Sequence, residues 1–237
     1  MGYKTTGLLF MSFLTVMASC DEGRLYEDYI PQENGNGLTA RLTATVEGAG
    51  TWREGYSLSL AGFEEGNEYA LISKAAEPDA DGRIDVILSS IPAEVTSVEL
   101  CVTDRLRRRT ATFLSAPVAG DDTIRITSDE KTDVSMYGVI QRDIFNTTCT
   151  QCHGGSNHAA GGLSLTEGKS YDETVGVPSV KDPDRLRAMP GASEESVLYR
   201  ILSTDESADW RYDHSVEIPD SKRLDVIKNW IDGGCPR

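Results

Sequence analysis

Along this chain the spacing of apolar residues changes once. Between Leu38 and Thr127 apolar and polar positions alternate, the pattern of strands with one buried face. YSLSL sets Tyr56, Leu58 and Leu60 on one side, RIDVIL does so with Ile84, Val86 and Leu88, and SVELCV with Val98, Leu100 and Val102. LTARLTATV, EYALISK, RTATFLS and DTIRIT complete seven stretches, separated by turn sequences such as EEGNE and PDADG. From Asp133 the spacing becomes helical. DVSMYGVIQRDIF aligns Val139, Ile140 and Ile144, and SEESVLYRILS aligns Val197, Leu198, Ile201 and Leu202 behind Ser193 as N-cap. SKRLDVIKNWIDGG aligns Leu224, Ile227 and Ile231, and Gly233-Gly234 ends it.

The pattern predicts two domains with a seam at 128–133: an immunoglobulin-like all-β sandwich over 37–128, and a helical domain over 134–237. The sandwich has one cysteine, Cys101, so the buried disulfide of antibody domains is missing. No catalytic constellation is visible in it. The RLRRRT run at 105–110 reads as a solvated connection.

Residues 1–19 belong to neither domain. A lone Lys4, an apolar run from Gly7 to Ala18 and small residues before Cys20 describe a secretory signal, too short to span a bilayer. The break, MASC, resembles the lipobox of bacterial lipoproteins, which implies that Cys20 becomes the lipidated first residue. Residues 20–36, polar and rich in Asn and Gly, read as a tether. The expected location is therefore that of an exported lipoprotein, held at the outer membrane on its periplasmic face or at the cell surface. A net charge of −15 leaves no surplus to neutralise phosphates, which argues against nucleic acid as a partner.

The chemistry lies in Cys149-Thr150-Gln151-Cys152-His153. Two cysteines three apart with a histidine beside the second is the arrangement that attaches a c-type haem. The thiols form thioethers with the porphyrin vinyl groups, and the histidine takes one axial position on the iron. With five cysteines and three histidines, chance would supply only about 0.001 such matches. A zinc site is disfavoured because no second CxxC exists. A thioredoxin-type pair would need a strand before the motif, where the pattern predicts a helix.

The surrounding residues resemble bacterial cytochrome c domains built on C-x-x-C-H, G-G-L-x-L, P-G-x-x-x-x-S-x-L, M-P and W-I-x-x-G. The matching positions are Gly161, Gly162, Leu163 and Leu165; Pro190, Gly191, Ser196 and Leu198; Trp230, Ile231 and Gly234. That resemblance implies an all-α, class I-like cytochrome c domain after the sandwich. It further implies one covalent haem c on Cys149, Cys152 and His153, and single-electron exchange with a redox partner protein rather than catalysis.

The chain departs from that pattern at the second axial ligand. Where such domains carry the methionine of M-P, this chain has Ile218 before Pro219. His214 stands four residues earlier, Met189 precedes the Pro-Gly element, and His158 follows the motif by five residues. His214 is the leading candidate, ahead of Met189, with an open position as the alternative. An open iron would make the domain a peroxidase-like or gas-sensing site. A third reading places the function in the sandwich, as a glycan- or protein-binding accessory. The remaining cysteines, Cys101 and Cys235, are either a disulfide stapling the two parts or two separate buried thiols.

Overall fold

Every alternating stretch becomes a strand: β1 (Leu38–Glu47), β2 (Tyr56–Phe63), β3 (Ile72–Ala75), β4 (Arg83–Ile91), β5 (Ser97–Asp104), β6 (Arg109–Pro117) and β7 (Ile124–Asp133). The computed structural model describes residues 1–2, 37–120, 123–155 and 160–237. Cys20, most of the expected signal peptide, the tether and His158 lie outside the described residues.

The strands form two sheets, ordered β4-β1-β7 and β3-β2-β5-β6. Ile84, Val86 and Leu88 of β4 face inward, as the alternation predicts, and meet Leu42, Val46, Leu60 and Leu100 in one core. The connectivity differs from the immunoglobulin scheme, in which the first and second strands are neighbours. Here β1 lies between β4, antiparallel, and β7, parallel. Residues 128–133, read from the sequence as the seam, are strand: Thr45, Val46 and Glu47 of β1 pair with Lys131, Thr132 and Asp133. Strand β5 is buried on both faces, so alternation alone understated its burial.

The remaining chain is a set of short helical segments: α1 (Met136–Ile140), a π-wound stretch (Gln141–Cys149), α2 (Thr150–His153), α3 (Ser170–Thr174), α4 (Val197–Ser203) and α5 (Ser221–Asp232). This corrects the expected fold class. No clear all-α cytochrome c domain is formed, and β-sheet dominates the structure. Two causes are visible. Between α3 and α4, a chain rich in Gly, Pro and Asp makes isolated bridges, Val175 to Ala188 and Pro178 to Leu186, instead of helix. The helical segments also share their core with the sandwich, since Ala111 of β6 is buried among Met136, Ile140 and Trp230. Gly35–Arg237 forms one compact unit.

Polar contacts reinforce that junction. The Trp52 indole N–H donates to Val134 O at 2.6 Å, and Thr51 Oγ1 accepts from Met136 N at 2.8 Å. Gly48, at φ +80°, lies so close to Ser135 that a Cβ there would sit 2.3 Å from the serine Cβ. Glycine is required at that contact. Trp230, fully buried, donates its indole N–H to Pro236 O at 2.9 Å and packs 5.3 Å from the Tyr137 ring. Truncating such a side chain to alanine costs about 3–5 kcal/mol. Helix α4 begins at Val197 with Ser196, not Ser193, at its N-cap position, and Ser193 opens a separate 3₁₀ turn, Ser193–Glu195.

Candidate haem-attachment site

The helical run from Met136 to His153 delivers the cysteines. Its apolar face, Val139, Ile140, Ile144 and Phe145, is buried and anchors it. Over Gln141–Cys149 the winding is π-type, and Thr150 N–H reaches back to Phe145 O. Long π stretches are rare and recur at functional sites. Gln141, buried inside the turn, donates from Nε2 to Asn146 Oδ1 at 2.7 Å and to Leu165 O at 3.0 Å. Its Oε1 accepts from Ser170, whose hydroxyl also bonds Tyr137.

The segment that Gln141 holds supports His153. Leu165 N–H donates to His153 O at 2.8 Å, and His153 Nδ1 lies 3.3 Å from Leu163 O. Gly161 and Gly162, at φ +62° and +63°, take the left-handed conformation that turns the chain back toward the histidine. A proton on Nδ1 donated to that carbonyl leaves Nε2 of His153 as the free nitrogen, the arrangement usual for metal-bound imidazoles.

The loop carrying the second candidate ligand lies beside the motif. His214 opens the 3₁₀ turn His214–Val216, capped by Asp213, whose Oδ1 accepts from Ser215 N at 2.9 Å. The His153 and His214 ring centroids are 6.3 Å apart and the ring planes are inclined by 29°. Two imidazoles bound to one metal at about 2.0 Å each, with about 1.1 Å more to each ring centre, would stand about 6.2 Å apart. The observed centroid separation is of that size, with the two rings stacked. Burial holds the His214 imidazole below the usual histidine range, and the nearby His153 lowers it further. Both effects favour the neutral ring, the form that binds a metal. Ile218 is buried in the core beside Phe145, so its role is packing.

The other sequence candidates lie elsewhere. Met189 is 38% exposed and lines a surface hollow with Arg185, Glu194 and Arg200. Cys101 and Cys235 are separate free thiols. Cys101 is buried with Ala61, Phe63 and Ala70, whereas Cys235 sits in the core of Trp230 and Ile231. Of the two alternatives left open by the sequence, the structure has the two separate buried thiols. Among the described residues, no group of three or more His, Cys, Asp or Glu side chains is arranged to hold a metal ion. A haem iron needs only two from the protein, because the porphyrin supplies the other four.

The two motif cysteines differ. Cys152 is exposed, whereas Cys149 is half-buried and its thiol is pushed up to about 12, by burial first and then by the charge of Glu217. Burial likewise pushes Cys235 up to about 12. In the apoprotein at about pH 8, iodoacetamide therefore labels Cys152 well ahead of Cys149 and Cys235, because only thiolates react. Peptide mapping reads the difference, and equal labelling of Cys149 would contradict its burial.

Comparison with models of protein families, with curated proteins and with solved structures finds no match to this chain.

Proposed function

We propose that this chain is a membrane-anchored, monohaem c-type cytochrome in function, transferring single electrons to or from a redox partner protein. The observation that carries the reading is the 6.3 Å approach of the His153 and His214 rings beside Cys149 and Cys152. In this reading, Cys149 and Cys152 would hold the porphyrin by thioethers, and His153 and His214 would be the protein's two ligands to the iron. The haem supplies one reversible electron. The protein holds both ligands in place across the two oxidation states, which keeps the reorganisation accompanying each transfer small.

The place of His214 supports an occupied sixth position, which suits electron transfer better than peroxidase-like or gas-binding chemistry. A second imidazole generally gives a lower reduction potential than a methionine sulfur. The acidic surface, net −15 over the chain, favours a redox partner with a basic face by long-range attraction. Cys20 provides the lipid anchor and residues 20–36 the reach from an outer membrane. No helix among the described residues is long and apolar enough to cross a membrane.

One preparation tests both halves of the reading. Expressed in cells able to attach c-type haem, the full chain fractionates with membranes and titrates as a single one-electron wave, while Cys20→Ser appears in the soluble fraction with the same wave. Membrane retention of Cys20→Ser counts against the anchor. A two-electron wave, or no wave, counts against the haem.

A further inference from the structure

Ser207 and His214 are joined twice through one oxygen. Ser207 is fully buried. Its Oγ accepts the backbone N–H of His214 at 2.9 Å and lies 3.0 Å from His214 Nδ1. With Oγ accepting the backbone N–H, its second bond to Nδ1 runs one of two ways: Oγ accepts Nδ1–H, or the hydroxyl donates its own proton to Nδ1. The alternative, in which the hydroxyl donates to Nδ1, puts the ring proton on Nε2 and blocks ligation there.

The elements around Ser207 fix it firmly. It lies in the 3₁₀ turn Asp205–Trp210, capped by Thr204. Its neighbour Glu206 is bonded to Arg200 at 2.5 Å and to Arg185 at 3.0 Å, which ties the turn to α4 and to the bridge segment before it. The edge of the Tyr212 ring closes on His214 from another side, 5.0 Å between centroids at 77°. His214 itself is partly buried in the short 3₁₀ turn His214–Val216.

We infer that Ser207 is a positioning residue for the distal ligand: its Oγ accepts Nδ1–H, selects the tautomer of His214 and leaves Nε2 as the ligating nitrogen. This inference rests on the reading of His214 as an iron ligand. It differs from a space-filling role, because a residue of similar shape without the hydroxyl would fill the same volume.

Replacement of the distal ligand by carbon monoxide in the reduced holoprotein tests it. In the parent the rate is limited by release of His214. Ser207→Val and Ser207→Ala, hydroxyl-free side chains of different size, raise that rate by about 10–100-fold, the usual effect of losing a metal ligand's hydrogen-bond partner. Ser207→Thr keeps the hydroxyl and stays within about threefold of the parent. Nitrogen-15 spectra of the apoprotein give a second readout: His214 is Nδ1-protonated in the parent and in Ser207→Thr, and a tautomer mixture in the other two. Parent-like rates in both hydroxyl-free variants, alongside fast binding in His214→Ala, would overturn the role of Ser207 while leaving His214 a ligand. Unchanged binding in His214→Ala would overturn both.

Discussion

With Cys149 and Cys152 both replaced by alanine, haem staining of the denatured protein falls to background. Each thioether is a carbon–sulfur bond that survives denaturation, so the stain reports covalent attachment and nothing weaker. Either single replacement leaves one thioether and a reduced yield. The double variant still folds. Cys149 is only half-buried and Cys152 is exposed, and the run that carries them is anchored by Ile140, Ile144 and Phe145, which the substitutions leave untouched. Its near-ultraviolet circular dichroism therefore retains the signal of the Trp230, Tyr137 and Tyr171 cluster. Staining at the parent level in the double variant would exclude these cysteines as the attachment site.

The second large effect is at His214. Removing its imidazole by His214→Ala leaves the iron with His153 alone, and reduced protein then binds carbon monoxide at least ~100-fold faster than the parent. His214→Met has the opposite use. It offers a sulfur from the same loop, and where that sulfur binds, the reduction potential rises by ~100 mV or more, a modest part of the roughly 0.8 V that axial ligands can span. Both variants are expected to fold, since His214 is only partly buried and its turn is capped by Asp213, which accepts from the N–H and hydroxyl of Ser215. A parent-like rate of carbon monoxide binding in His214→Ala would remove it from the coordination sphere.

How much of this was legible in the sequence depends on what wrote each feature. The period-two signature is clearest in β4, where one face is buried and the other wet, whereas β5 is buried on both faces. The same signature missed the tail of β7, since SDEKTD carries no apolar alternation: its place is set by backbone pairing with β1, which needs no side-chain pattern. The helical period read from 133 holds from Met136, first as α1 and then as a π-wound stretch, but periodicity cannot distinguish an independent all-α domain from short helices resting on a sheet. Only the burial of Ala111 among Met136 and Trp230 decides that.

The site followed the same division. Cys149, Cys152 and His153 form a local motif and are readable as such. The approach of His214 depends on how the chain folds back across some sixty residues, so the sequence could put His214 ahead of Met189 only by its place in the loop and not by any distance. Two supports had no readable signal. Leu163 acts through its backbone carbonyl, which carries no residue signature, and Ser207 is one serine among many until two successive 3₁₀ turns bring it to the imidazole. Cys101 and Cys235 show the limit from the other side: an even pair of spare cysteines suits a disulfide, but their distribution between two core clusters is a property of the fold alone.

Low-temperature electron paramagnetic resonance of the oxidised full chain, purified from cells able to attach c-type haem, probes the paired histidines directly. Two imidazoles on one iron predict a low-spin ferric signal of the bis-histidine type that reverts to high-spin or mixed-spin in His214→Ala. A high-spin signal in the parent, a low-spin signal of histidine–methionine type, or no haem signal would contradict it.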